Sequence, residues 1–502
     1  MWKDTEKERL ERYKSILKGS PLMYKAALET SLWAQNAWAA QKNTGTSGAN
    51  EAVLPPGAAR NTVIFALAPA LCSYVLWVID EALKAGKKRL YFLARDACFM
   101  YEAALIFCRE FGIDLDCRYL CCSRYSVRIP MYHLNIPEAL DYICLGGIDV
   151  TAQKILLRSG ISQRQQDEVF VLLKKEGLKY ERDEVIPYSA LSEVKKLLGN
   201  CPVFLEYLSR NSQNSFPAFE SYLEQEGLFD GVSAALVDSG WVGSMQKNLN
   251  SACRYIYNTK KEGRGEFQDL EGYYWGLYEL VQGVDPEKYH CYYFSPAYNM
   301  RRKVYFSNCL FEAVFSAPHG MTAGYRKEEE KTEPVFAQIS SAQKEYMYGC
   351  RSIYRSFAAG LAGEIKKNDA DAGSLQRLCA INGTSDKKTA ASLLGCFMGE
   401  PSRPEAKAFG SLHFSDDVTD HVRQILAAPL SEKDLRANHA LPKVLSMAKV
   451  KKTPAAESAW YEASAVRKGT NVKRHLSGYR AYKRLLYIRK RCLWRKIYGK
   501  TG

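Results

Sequence analysis

The apolar and polar positions fall into stretches of different period. Near the N-terminus Leu10, Tyr13, Ile16 and Leu17 recur at helical spacing among charges, so residues 1–40 read as helix. Residues 41–60 are rich in Gly, Ser, Asn and Pro, which marks a loop or linker. From 62 to 79 the chain is almost wholly apolar, and its eighteen residues touch the lower limit for a membrane span. Pro69 interrupts that run, and Asp80 and Glu81 follow without a basic flank. A buried helix is therefore preferred to a membrane segment.

Short apolar runs then alternate with helical patterns. Arg89–Leu93 reads as a strand, 99–112 as a helix and 116–122 as a second strand. That βαβ order implies a parallel sheet. A helix ends over 219–227, a short buried strand follows at 234–237, and a helix at 244–253. Two more strands are expected at 272–277 and Tyr289–Phe294. The fold class is thus α/β, a Rossmann-like parallel sheet with flanking helices. Beyond Glu330, residues 342–363 and 374–398 look helical, and 399–460 mixes short helical stretches with breaks. Four regions follow: an N-terminal helix and linker (1–60), an α/β core (61–330), a mostly helical subdomain or cover (331–460) and a basic tail (461–502).

Composition adds a compartment. Fifteen cysteines occur without a Cys-x-x-Cys pair, so a zinc site is not expected and a reducing environment is. The charged N-terminus does not resemble a signal peptide, so the expected location is cytoplasmic. Net charge is +15, yet thirteen basic residues and no acidic one follow Glu462, which leaves 15 − 13 = +2 for the rest. In that tail Tyr482, Leu486, Leu493 and Ile497 share a face at helical spacing, with Trp494 nearby. Residues 466–500 therefore suit the inner face of an anionic membrane; a solvated tail ranks second and nucleic acid, without a recognition motif, last.

Candidate chemistry lies at strand ends, where helix N-termini face a crevice. Asp96 follows the first strand with Arg95 beside it. It is either a metal-binding or acid/base carboxylate, or a helix N-cap. The second turn is Asp238-Ser239-Gly240-Trp241-Val242-Gly243-Ser244. Its glycines and amides suit an anion, although it lacks the Gly-Lys-[Ser/Thr] ending of a Walker loop. It bears a faint likeness to phosphoribosyltransferase loops, which leaves a binding module of that kind as one alternative. Ser123, Arg124 and Arg128 could clamp phosphate, and His319, between Pro318 and Gly320, is an acid/base candidate. Asp96 and Asp238 are the expected ligands if Mg²⁺ is used; neither nicotinamide nor flavin is expected.

Four strings, YFLARDA (91–97), CSRYSVRIP (122–130), LVDSGWVGSMQ (236–246) and SAPHGMTAGY (316–325), occur in that order. They resemble a family of bacterial proteins filed as haloacid-dehalogenase-type hydrolases, found among glycosyltransferases in surface-polysaccharide gene clusters. The likeness covers roughly 60–330, with a fainter echo at 409–417. It implies an enzyme, a hydrolase or transferase, of surface-polysaccharide biosynthesis that handles a phosphorylated sugar or nucleotide-sugar. The rival expectation is a non-catalytic, membrane-peripheral scaffold for glycosyltransferases. The sequence departs from the family at its label: Ala94 stands where a dehalogenase has its first aspartate, and the nucleophile segment is absent.

Overall fold

A computed structural model describes residues 5–44, 54–55, 57–147, 149–260, 266–368, 384–414, 424–448 and 456–497. Half of the 41–60 linker, residues 374–383 and the end of the 409–417 string lie outside them, as do the side chains of Leu493, Trp494 and Ile497; the ends of that linker, 41–44 and 57–60, are helical and not loop.

The expected parallel sheet is present. Strands β1 (Arg89–Leu93), β2 (Asp116–Leu120), β3 (Ala234–Trp241), β4 (Glu271–Leu277) and β5 (Tyr289–Phe294) all run parallel, in the order β2-β1-β3-β4-β5. Both faces are covered, as parallel sheets require. Leu90, Phe92, Ala235, Val237, Tyr273 and Trp275 pack into the large core on one face, whereas Tyr91, Leu93 and Leu236 pack on the other. That alternation follows directly from the two-residue period of a strand. The helices used below are α1 (Glu6–Leu17), α2 (Pro21–Thr44), α3 (Ala68–Lys84), α4 (Cys98–Phe111), α5 (Pro202–Gln225), α6 (Ser244–Lys260) and α7 (Asn308–Phe315). They are followed by α8 (Ser341–Asn368), α9 (Thr384–Gly399), α10 (Glu432–Ala437), α11 (Ala440–Met447), α12 (Tyr461–Lys468) and α13 (Val472–Ile497).

The apolar run at 62–79 is an interior helix. It belongs to a helical stretch over 57–84, the only one among the described residues long and apolar enough to cross a membrane; 94% of its most apolar window is buried within the fold. Tyr74 packs edge-on against Trp275 at 5.3 Å and donates its hydroxyl to the Tyr273 carbonyl at 2.9 Å. A helix covered on all sides is apolar on all sides.

Two features had no counterpart in the sequence reading. Residues 121–233, between β2 and β3, carry a set of short helices with their own core, built from Ile143, Ile155, Leu156, Val169, Leu173, Leu198, Phe204 and Leu208. Helix α5 joins this unit to the sheet, because Phe219, Tyr222 and Leu223 further along it pack against β1 and β3. A two-stranded antiparallel hairpin, β6 (Thr322–Glu328) and β7 (Lys331–Phe336), lies beside α5. The region after Glu330 covers the sheet: Met347, Phe357, Leu393, Phe397 and Trp460 share one core with Phe92 and Val237.

Candidate functional site

Strand order places the site. The chain passes from β1 to β2 on one side, then crosses back to lay β3 on the other side of β1. Crevices at the carboxyl ends of strands form where the order reverses in this way. Here the reversal lies between β1 and β3, the strands that carry Asp96 and Asp238. A cavity of about 190 Å³ opens there; Arg95, Asp96, Ser123, Arg124, Asp238, Ser239, Trp241, Ser244 and Glu312 are among the residues lining it.

Of the two readings of Asp96, the capping one does not hold. Helix α4 begins at Cys98 with Ala97 as its cap and no side-chain capping bond, so Asp96 is not the N-cap. Its carboxylate instead accepts the Ser239 hydroxyl at 2.6 Å, a bond that ties the ends of β1 and β3 together across the crevice.

The Asp238 segment is more strand and less loop than its composition suggested. Pairing with β4 continues through Gly240 opposite Gly276 and Trp241 opposite Leu277, and the Tyr278 amide donates to the Trp241 carbonyl at 2.7 Å. Gly240 is required for this approach: its φ is +111°, and a Cβ would lie 2.4 Å from the Gly276 carbonyl oxygen. The real turn is confined to Val242 and Gly243, the latter also in the left-handed region at +72°. The Ser239 and Gly240 amides lie close enough to the Asp238 carboxylate to favour its anion. Ser244 and Met245, at the start of α6, still face the cavity.

Electrostatics single out two carboxyls. Burial, and then the neighbouring charge of Asp96, push Asp238 up to about 7 against the weaker pull of its own amides and Arg124. Glu312 on α7 is pushed up to about 8 by burial and again by Asp96, opposed by a hydrogen bond from Trp241 and by Arg124 and Arg95. Like charges in a half-buried crevice cannot all ionise at neutral pH. Trp241 holds this arrangement. Its indole Nε1 donates to the Glu312 carboxyl at 2.5 Å, and its ring is wedged against Tyr278, Phe306 and Phe311. Its φ of +74° is uncommon for a bulky residue, and such backbone persists where surrounding packing dictates it.

Glu312 was missed by the sequence reading. The signal was available: it is the only Asp, Glu, Lys or Arg between Lys303 and Arg326, set in the apolar segment Leu310-Phe311-Glu312-Ala313-Val314. A lone acid on a buried face needs a reason to be there.

Three expected residues are placed differently. Ser123 lines the cavity, but its hydroxyl accepts the Ser126 amide at 3.0 Å and donates to the Thr322 carbonyl at 2.7 Å, so it serves as a helix cap. Arg128 does not line the cavity; its guanidinium stacks 3.5 Å above the Tyr142 ring, in the inserted helical unit. His319 also stands outside the cavity lining, although Met321 and Thr322 belong to it. Its Nδ1 faces the Gly320 carbonyl at 2.8 Å and must carry the proton, so Nε2 accepts the Tyr119 hydroxyl at 2.8 Å. Burial depresses its pKa, and both nitrogens are engaged, so His319 acts as a neutral wall behind Arg95.

Asp96 and Asp238 do share the crevice. Among the described residues no three of His, Cys, Asp and Glu are grouped to hold a metal ion. Two carboxylates alone would leave most positions of a magnesium ion to water and to a ligand's phosphate oxygens, which is how Mg²⁺ is commonly held. Compared with known proteins, the chain matches no family model and has no significant match among curated proteins.

Proposed function

We propose that the crevice binds the phosphorylated end of a small polyhydroxy metabolite and catalyses transfer or hydrolysis there. What carries this reading is the meeting of Arg95 and Arg124 with Asp96, Asp238 and Glu312 at the sheet's reversal point, two of the carboxyls being poised near neutral pH.

The guanidiniums suit phosphate, which they can bind through paired donors. Asp96, oriented by Ser239, is set to accept a sugar hydroxyl or to ligate Mg²⁺ alongside the phosphate; the ion, when bound, would supply charge neutralisation. Glu312 is largely protonated at pH 7 and can give its proton to the oxygen that leaves. Asp238, near half-ionised at that pH, can take the proton of the water or hydroxyl that attacks. Two carboxyls with separate proton affinities are a workable acid and base pair.

The cavity is smaller than the roughly 300–1,000 Å³ usual for pockets that enclose a drug-sized ligand. Size therefore favours a sugar phosphate, or the sugar-phosphate end of a nucleotide-sugar, over a ligand swallowed whole. No aspartyl-phosphate step is part of the proposal, because the resemblance to dehalogenase-type hydrolases would put the nucleophile at position 94, which is Ala.

The test is calorimetric titration with glucose 1-phosphate, UDP-glucose and inorganic phosphate, each with and without Mg²⁺. Binding of a phosphorylated sugar that falls at least tenfold in Arg124→Ala supports the assignment. If none of these ligands binds, or if Arg124→Ala binds them undiminished, the reading is wrong.

A further inference from the structure

The C-terminal helix changes character half-way along. Over its first half α13 is docked: Val472, His475 and Leu476 are buried, and Tyr479 stacks on Tyr461 at 4.0 Å. Lys483 is buried against Glu462 at 2.8 Å, and Arg480 pairs with Glu400 at 2.6 Å. This corrects the expectation of a free amphipathic tail beginning at 466. It also corrects which face is free, because Tyr482 and Leu486 are half-buried. After Lys483 one face of the helix opens to solvent. Leu485 and Ile488 are 40% and 56% exposed, and Arg484, Arg489, Lys490 and Arg491 are exposed around them.

A second element extends this surface. Helix α11 packs beside α13, with Lys443 over the Tyr482 ring and the Arg489 guanidinium 3.1 Å from the Met447 sulfur. It has no buried residue, and it exposes Leu441, Val444 and Met447. Apolar side chains standing on two adjoining helices, ringed by cations, have nothing to gain from a nucleic acid backbone. They match an anionic lipid surface, where the cations meet head groups and the apolar tips enter the acyl boundary. No acidic residue occurs after Glu462 to neutralise those cations from within the helix.

We propose that α11 and the outer half of α13 form one docking face for an anionic membrane leaflet. The inference stands independently of what the crevice binds.

The experiment is co-sedimentation of the full chain with vesicles of phosphatidylcholine, alone or with about a quarter phosphatidylglycerol, where each surface cation is worth about fivefold in partitioning. The wild type is expected to pellet with the anionic vesicles and to stay in solution with the neutral ones. Neutralising three charges (Arg484→Gln, Lys490→Gln and Arg491→Gln together) should lower partitioning on the order of a hundredfold. The pair Leu441→Ser and Ile488→Ser tests the apolar tips without touching charge and should also weaken binding. None of these residues is buried, so the fold and the melting temperature should be preserved. Undiminished pelleting of either variant, pelleting with neutral vesicles to the same degree, or tighter binding to duplex DNA at the same salt would overturn the proposal. So would a concentration-dependent dimer that Ile488→Ser dissolves.

Discussion

Replacing Asp238 by Asn removes one ionisable group from a crevice that resists its charge. Its acid form ionises near 3.8 when solvated and near 7 in the folded protein, because burial and the adjacent Asp96 disfavour the anion. Below pH 3.8 the carboxyl is protonated in both states and costs the fold nothing. As pH rises the unfolded chain releases the proton first, so stability is lost step by step until the folded carboxyl also ionises near 7. At about 1.4 kcal/mol for each of roughly three pH steps, the loss is about 4 kcal/mol. Asn keeps the shape without the charge, but its amide nitrogen is a donor where the carboxylate has only acceptors. That mismatch returns roughly 1 kcal/mol. A net gain of about 3 kcal/mol is expected above pH 7. For 502 residues unfolding as one unit this is about 3 °C in melting temperature. Thermal unfolding of both proteins from pH 4 to pH 8.5 checks it: the curves should meet at the acid end and diverge upward in the variant's favour. Turnover should be lost in parallel, since stability and activity trade against each other at a strained site. An offset that is constant with pH, or a variant less stable than the wild type at pH 8, would refute the reasoning.

Trp241→Phe keeps a ring against Phe306 and Phe311 but removes the donor that holds Glu312 down. Glu312 should then titrate above its present value of about 8, read as an upward move of the basic limb of the pH–rate profile. Arg128→Ala should cost about 1–2 kcal/mol through loss of the stacked Tyr142 contact, with ligand affinity unchanged by calorimetry. Gly240→Ala should be far more damaging, since the new Cβ meets the Gly276 carbonyl oxygen. A melting temperature within a degree of wild type would show that β3 and β4 do not approach as closely as described.

Strand positions were legible in the chain because each strand of a covered parallel sheet is a short, apolar run bounded by turn residues. Arg89–Leu93 and Tyr289–Phe294 match at both ends. Expected strand 234–237 proved longer because Asp238, Ser239 and Gly240 look like turn residues yet pair with β4. Local composition cannot tell a glycine that ends a strand from one that admits a neighbouring backbone. The inserted helices escaped notice for another reason. Most are short, and their apolar residues share one core with residues far away in the chain, Ile143 with Leu198 and Phe204 among them. The same limit applied to the tail, where helical spacing identified an amphipathic helix but not which face the body would claim.

The crevice itself illustrates how sequence and fold share the information. Asp96 and Asp238 could be picked out singly, as acids at strand ends, but their chemistry arises only between them. The charge of Asp96 raises the proton affinity of Asp238, and the effect needs the crossover that lays β3 beside β1. Glu312 joins them through α7, more than seventy residues beyond Asp238 in the chain, and its charge is held in check by an indole from β3. A helix cap explains none of these three carboxyls. A purely structural role would also leave unexplained why a fold with a well-filled core keeps three acids and two guanidiniums in one half-buried cavity. Burial of unneeded charge is costly, and its persistence at a sheet reversal point is the physical ground for expecting a ligand there.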